Sequence, residues 1–393
     1  MSMNKILLST MLLLLILSYG LFTTIFSRSV LALDAVENYW NTIAPMNQDR
    51  GYLGVVAVDD KIYAIGGSLA LLGSLQNNTR NESHYVATNE RYDPKTNSWT
   101  TLTSMPTPRY NFAIAACEGK IYCIGGYYYN EKEATYNGLG VNEVYDIATD
   151  SWSTKTSLPI SGGALEAQVI DGKIFVLYGV INTLFVYDPI TDLWTTKTSI
   201  PSAGEGLVSA VVNDKIIVMG TFYYQTDLGT SSDLKVLIYT PKTDTWSEGT
   251  VGPGVLAYRY AAGATSGLYA PQGVYVFCGF MSNDTLVYDP VKDVWSVVNA
   301  RPTNRVAFGV TVVDDVFYVI GGFNVNNREP FSVNERYVPV DYNGTLPADS
   351  RSFLDNMVLA GTLVITATTV AVSLLVFFKK NKRKKSEQTP QSS

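Results

Sequence analysis

The sequence predicts an all-β fold of six repeated units, flanked by an N-terminal secretion segment and one C-terminal transmembrane helix. Three observations lead to it. The chain's 6 tryptophans, Trp40, Trp99, Trp152, Trp194, Trp246 and Trp295, stand 42 to 59 residues apart, the period of four-stranded propeller blades. Short apolar strands separated by turn dipeptides fill each interval, and no other helical periodicity interrupts them. Two long apolar segments lie outside the repeats, one towards each end of the 393 residues.

Residues 1–32 read as a signal peptide. Lys5 precedes the apolar run Ile6 to Ile25, and Val30-Leu31-Ala32 resembles a signal-peptidase site. That run is long for a signal, so an uncleaved anchor is the competing reading. Residues 356–378 read as a transmembrane helix, because Met357 to Phe378 carries no charge and is long enough to cross a hydrocarbon core at about 1.5 Å per residue. Lys379, Lys380, Lys382, Arg383, Lys384 and Lys385 follow at once. Such a basic flank stays inside, so residues 379–393 form a cytoplasmic tail and the repeats face outward from a cell membrane crossed once.

Within residues 33–340 the units share an order of signals. An aromatic-led turn precedes each Trp from the second onward: Tyr92-Asp93-Pro94, Tyr145-Asp146, Tyr187-Asp188-Pro189, Tyr239-Thr240-Pro241 and Tyr288-Asp289-Pro290. Pro and Asp favour the turn, while Tyr and Trp offer large amphipathic surfaces for packing one unit on the next. Upstream lies a hairpin turning at Asp59-Asp60, Glu118-Gly119, Asp171-Gly172, Asn213-Asp214 or Asp314-Asp315. These dipeptides tolerate the positive φ of two-residue primed turns. The return strands end in Gly66-Gly67, Gly125-Gly126 and Gly321-Gly322, with degenerate forms at Tyr178-Gly179, Met219-Gly220 and Cys278-Gly279.

In this order of Arg, apolar hairpin, double Gly, Tyr-Asp and Trp, the chain resembles the kelch repeat from about residue 40 to about residue 340. The resemblance implies a six-bladed kelch-type β-propeller, here membrane-anchored, whose four strands per blade run outward from a central channel. The third to fifth repeats lose the first Gly, and the fifth replaces its short turn with Thr265 to Gly273. The two ends complement each other: Tyr337-Val338-Pro339 has no Trp after it, and Trp40 has no Tyr-Asp before it. The segment Asn38 to Ile43 is therefore expected to supply the outer strand of the sixth blade, which would remove an open edge. Residues 341–355 make a stalk to the span.

Composition narrows the function. Apart from Lys5, Arg28, the six basic residues of the tail and Glu387, the chain carries 21 basic and 34 acidic residues, near −13. That surface repels phosphate backbones, so nucleic acid is not an expected partner, and the basic tail suits anionic lipid. Cys117, Cys123 and Cys278 lie inside strand patterns and give no disulfide framework. His84, the single histidine, falls in a polar loop. It cannot make the imidazole pair of a copper oxidase on this fold, and a Ser-His-Asp or Cys-His site fares no better, so no metal and no cofactor are expected.

Aligned on the hairpin turns, Arg50, Arg109, Arg259 and Arg305 occupy equivalent positions ahead of the first strands of blades one, two, five and six, where blades three and four carry Gly162 and Gly204. They suggest a basic arc at one channel mouth, able to grip a carboxylate or sulfate in a bidentate fork, or else ties that join adjacent blades through carbonyls and carboxylates. Four residues on, the equivalents are Gly54, Ala113, Glu166, Val208, Gly263 and Gly309, of which Glu166 alone is charged. The long loops after the double glycines add aromatic side chains to the same rim. Tyr128 within Tyr127-Tyr128-Tyr129, Tyr223, and Tyr110 beside Arg109 are candidate ligand contacts, since exposed tyrosines give rigid stacking surface. Asn77, Asn81, Asn283 and Asn343 each begin an N-glycosylation sequon. Together these residues predict a cell-surface module that binds an extracellular glycan, peptide or protein, and favour that over an enzyme. The alternative is a sugar-converting enzyme: the chain resembles six-bladed kelch propellers that isomerise sialic acid, epimerase or mutarotase in type, and Glu166 would then be the acid/base group.

Overall fold

The structure, a computed structural model, describes residues 38–71, 84–130, 135–202, 204–226, 229–253, 261–279 and 282–346. The predicted signal peptide and transmembrane helix lie outside them. Among the described residues no helix is long and apolar enough to cross a membrane. The chain divides into two units, Met1–Pro94 with Ser98–Thr345, and Lys95–Asn97 with Leu346–Ser393. The first contains the propeller, and almost all of the second is outside the described residues.

Six antiparallel sheets of four strands form the blades. From the channel outward, blade one is Gly54–Val58, Lys61–Ile65, Asn89–Asp93 and Ser98–Leu102, and blade two is Ala113–Cys117, Lys120–Ile124, Asn142–Asp146 and Ser151–Lys155. Blade three is Glu166–Ile170, Lys173–Tyr178, Thr183–Asp188 and Leu193–Thr196; blade four is Gly204–Val212, Lys215–Thr226, Gly229–Thr240 and Thr245–Glu248. Blade five is Ala261–Ala264, Val274–Phe277, Thr285–Asp289 and Val294–Val298; blade six is Gly309–Val313, Val316–Ile320, Asn334–Val338 and Tyr39–Ile43. Each inner strand touches the inner strands of the two neighbouring blades, and that of blade six touches that of blade one, so the ring is closed.

Five of the six inner hairpins turn where the dipeptides predict. Asp59 and Asp60 have φ of 46° and 59°, Asn213 and Asp214 of 51° and 57°, and Asp314 and Asp315 of 50° and 60°. This is the left-handed pair of a type I′ turn. Blade five differs. Thr265 donates its N–H to the Gly273 carbonyl at 3.0 Å across a longer loop, and Asp315 of blade six accepts the N–H groups of Tyr269 and Ala270 at 2.8 and 3.1 Å. That loop shifts the residue count. The inner position opposite Phe277 is Ala261, which corresponds to Gly54 opposite Ile65, so Gly263 is not the equivalent that turn spacing picks.

Blades are joined by one bond repeated six times. The indole N–H of Trp40, Trp99, Trp152, Trp194, Trp246 and Trp295 donates to a carbonyl of the preceding blade: Asn299, Ala44, Thr103, Thr156, Thr198 and Thr250, at 2.8 to 3.1 Å. Each Trp lies half-buried over the Tyr of the adjacent strand, as Tyr145 and Trp152 do with centroids 5.1 Å apart. A second clasp uses the outer turn. Tyr145, Tyr187, Tyr239 and Tyr288 donate to Asp150, Asp192, Asp244 and Asp293 at 2.6 to 2.7 Å. The same carboxylates accept the N–H of Thr103, Thr156, Thr198 and Thr250 on the preceding blade. Apolar clusters fill the gaps between blades, for example Ala115, Tyr122 and Ile124 against Ile174, Val176 and Tyr187. The three cysteines are free and buried there, and desolvation pushes the thiols of Cys123 and Cys278 up to about 12 and about 11.

Candidate functional site: the tyrosine rim and the channel

Arg50, Arg109 and Arg305 do not form an exposed basic arc. All three are 0% exposed. Each guanidinium turns into its own blade and pairs with a glutamate on the third strand: Arg50 with Glu90, Arg109 with Glu143 at 2.6 Å, and Arg305 with Glu335 at 2.7 Å. Each also donates to a second-strand carbonyl, of Ala64, Cys123 or Val319, at 2.9 Å. The glutamates reach back to the same loop, where Glu143 accepts the Thr107 hydroxyl at 2.6 Å and Glu90 the Asn47 N–H at 2.9 Å. These arginines are ties within one blade, neither ligand contacts nor links between adjacent blades, and both expectations are corrected accordingly. Burial lowers Arg305 to about 10, against the pull of Glu335, so it still carries its charge at neutral pH.

A signal for this was present in the sequence. Blades one, two and six carry Asn89-Glu90, Asn142-Glu143 and Asn334-Glu335, whereas the matching dipeptides of blades three to five are Leu184-Phe185, Val236-Leu237 and Thr285-Leu286. Arginine and glutamate thus occur together. Arg259 lies outside the described residues, and Leu286 takes the glutamate position of its blade. Arg301 was missed altogether. Its equivalents are the buried apolar Met46, Met105, Leu158 and Ile200. Its guanidinium stacks 4.3 Å from the centroid of Phe308 and donates to the carbonyl of Cys278. Burial and then the neighbouring Arg305 push it down to about 9.

Above these ties the channel mouth is built from left-handed backbone. Tyr52, Asn111, Ala164 and Ala307 stand two residues before the inner position of their blades, with φ between 54° and 56°. A left-handed non-glycine residue costs on the order of 1–2 kcal/mol. Hydrogen bonds around the ring hold it: Tyr52 N–H to Ala307 at 2.7 Å, Asn111 N–H to Tyr52 at 2.9 Å, and Ala164 N–H to Asn111 at 2.9 Å. One bond per blade therefore passes from blade six to blade three.

Tyrosines line this mouth. Phe323, Tyr52, Tyr110 and Tyr127 follow one another with centroids 5.7, 5.9 and 6.1 Å apart. Tyr127–Asn130 and Thr135–Gly138 form an extra hairpin on blade two, in which Tyr129 and Tyr136 stack at 4.9 Å. The Tyr85 hydroxyl donates to the Tyr129 carbonyl at 2.7 Å. Gly162 and Gly163 make room: a Cβ on either would stand 2.1 Å from the Tyr178 hydroxyl or 2.3 Å from the Tyr127 ring. Of the predicted tyrosines, Tyr110 is buried at the base, where desolvation and then the surrounding tyrosines push its hydroxyl well above the usual range. Tyr128 is half-buried on the hairpin, and Tyr136, which the sequence did not single out, is 48% exposed. Tyr223 lies opposite Ser232 in the long hairpin of blade four.

The channel itself is a cavity of about 470 Å³ reached by all six inner strands. Glu166 enters its wall at the start of blade three, and the Ser209 hydroxyl of blade four donates to its carboxylate at 3.2 Å. Desolvation raises its acid to about 8, opposed by the Ser209 bonds. No arginine lines the cavity beside it among the described residues. Among the described residues no three His, Cys, Asp or Glu side chains converge as metal ligands. Of the sequons, Asn77 and Asn81 lie outside the described residues. Asn343 is exposed. Asn283 is half-buried, with its Oδ1 buried and its carbonyl accepting the Arg301 N–H at 2.9 Å.

The Kelch motif matches at residues 49–106, 108–159 and 304–342, the segments holding the three blades with Arg–Glu ties. Kelch-like protein 35 of Mus musculus is 29% identical over 163 residues, covering 40% of this chain and 25% of that protein. Kelch-like protein 15 of Danio rerio is 24% identical over 268 residues, covering 67% and 38%. Beta-scruin of Limulus polyphemus is 29% identical over 142 residues, covering 36% and 14%. The chain spans less than half the length of each of these relatives. A solved structure described as "Structure of YjhT" aligns with a TM-score of 0.56 at 15% identity, over 74% of this chain and 95% of that one, a likeness of fold alone. The chain is a six-bladed β-propeller that carries Kelch motifs.

Proposed function

We propose that this propeller is an interaction module that binds a peptide or protein segment on the tyrosine rim, displayed outside a cell by the signal and membrane span that the sequence predicts. The observation that carries it is the aromatic arc in which buried Phe323 and Tyr110 support half-buried Tyr52, Tyr127 and Tyr129 and exposed Tyr136. Tyrosine gives large, rigid, amphipathic contact area at low entropic cost, and its hydroxyl pairs with backbone groups of a partner. The Arg–Glu ties and the ring of backbone bonds fix this arc before binding, which lowers the cost of association. Two of the relatives are named as Kelch-like proteins, and glycan binding rests only on the aromatic surface.

A photo-crosslinking residue placed at Tyr128 or Tyr136 of the full-length chain, against one at Ile190 or Val291 on the outer turns, tests the reading. The rim positions should capture one discrete partner that the outer positions do not. Equal capture from both faces would refute a rim-specific function.

A further inference from the structure

Among the described residues that wall the channel, Glu166 is the one charged side chain. Its equivalents on the other inner strands are Gly54, Ala113, Val208, Ala261 and Gly309, none larger than valine, and a Cβ on Gly54 or Gly309 would meet Phe112 or Val55 of the next blade, whereas half-buried Glu166 lines the cavity. Its hydrogen bonding is directional. Gln168 Nε2 donates to Ser209 Oγ at 3.0 Å and to the Ser209 carbonyl at 2.9 Å. The Ser209 hydroxyl hydrogen is thereby left to point at Glu166 Oε2, and the Ser209 backbone N–H also acts on the carboxylate.

Two neutral donors of a single serine, its hydroxyl and its backbone N–H, are modest support for an ionised carboxylate in such an enclosure. No charged described residue faces Glu166 from blades two or four, whose contributions to the wall are Asn111, Phe112 and Ile114, and Gly204, Gly206, Leu207 and Ser209. The arginines turn away into their blades, and the rings of Phe112 and Phe308 are already faced by Arg109 at 5.4 Å and Arg301 at 4.3 Å. A cation in the channel would therefore be recognised by hydrogen bonds to the carboxylate, with its carbon stem against Val55, Ile114 and Val310, rather than by a ring face.

We propose that the channel binds a primary ammonium group on a short aliphatic stem, whose N–H donors pair with Glu166. A lysine side chain inserted by a partner and a free alkylamine share that chemistry. The site is distinct from the rim and stands or falls separately from it. At neutral pH the acid of Glu166, held near about 8, would release one proton to solvent as the ammonium ion takes its place beside the carboxylate.

Calorimetry of the full-length chain at pH 7 with n-butylammonium, in two buffers of different ionisation enthalpy, reads both affinity and proton release. The expected result is binding with release of about one proton, weakened at least about tenfold in Glu166→Gln, while n-pentanol binds both forms equally. Unchanged thermal unfolding of Glu166→Gln, or a rise, shows that the loss is not unfolding. Competition by N-acetyl-lysine methylamide assigns the source to a partner's lysine, and its absence to a free amine. Butylammonium binding no tighter than pentanol, or equally tight to Glu166→Gln, would overturn the proposal.

Discussion

The Tyr337 hydroxyl donates to Asn38 Oδ1 at 3.0 Å across 299 residues of chain. Asn38 has φ of 54°, as Asp150 and Asp192 have 48° and 55°, and its Oδ1 also accepts the Asn299 N–H of blade five at 3.3 Å. It thus does in blade six what an aspartate does in blades two to five. Trp40 follows it, opposite Tyr337 in register, and completes the set of six indole bonds. The two ends of the propeller are sewn by the same stitch that joins its interior blades.

Removal of residues up to Ile43 should therefore leave the edge of Asn334–Val338 unpaired and strip Tyr337 of its Trp. The shortened chain should melt at a lower temperature and form soluble oligomers through that edge. Differential scanning calorimetry with light scattering reads both; an unchanged melting temperature without association would mean that the N-terminal strand is dispensable.

The clasps of blades two to five are charge-assisted and that of blade six is neutral. Tyr187→Phe should cost about 1–2 kcal/mol at pH 7, and Tyr337→Phe about half of that. Asp192 is held below the usual carboxylate range, first by the Tyr187 hydroxyl and then by the Thr156 N–H. A depressed folded value stabilises above the unfolded value near about 4, and the gain is lost as pH falls through the folded value. The gap between the two variants should accordingly narrow in unfolding titrations as pH falls below about 4, whereas a gap independent of pH would contradict the assignment.

Arg109→Met should destabilise by about 3–5 kcal/mol, because it strands Glu143 in a buried site. Adding Glu143→Leu should recover most of the loss, as blades three and four, which carry no such pair, already illustrate. Denaturant unfolding of the two single variants and the double variant measures the coupling. Arginines acting as ligand contacts would instead give near-native stability for Arg109→Ala with Arg305→Ala.

Glu166 predicts a pH dependence of opposite sign to the aspartates. Its folded value, about 8, lies above the unfolded value near about 4, so the native state holds the proton more tightly and stability falls as pH rises between the two. Glu166→Gln should raise the melting temperature at pH 9, by an effect of a few kcal/mol at most, and leave it nearly unchanged at pH 4. Parallel curves for the two proteins would show that the carboxylate is well solvated.

Much of the fold was legible because each blade repeats a few local devices. Trp spacing, primed-turn dipeptides and the Tyr-Asp turns each report local chemistry that survives without knowledge of the neighbours. Gly263 was chosen in place of Ala261 because a count from the hairpin turn fails where the loop from Thr265 to Gly273 replaces it. The site was less legible. An arginine ahead of a strand reads the same whether it faces a ligand or a buried glutamate, and only the joint occurrence of Arg109 with Glu143 and of Arg305 with Glu335 separates the two. Arg301 could be seen only against its apolar equivalents, Met105 and Leu158. The left-handed mouth residues Tyr52 and Ala307 gave no signal, since neither residue type favours positive φ and tertiary hydrogen bonds impose it.

The rim is tested most directly by probing a peptide and glycan array with the full-length chain and with Tyr128→Ser combined with Tyr136→Ser, two side chains outside the ring of ties. Peptides retained by the parent chain should bind the double variant at least about tenfold more weakly, with the melting temperature unchanged. Undiminished binding by the double variant would contradict binding at the rim.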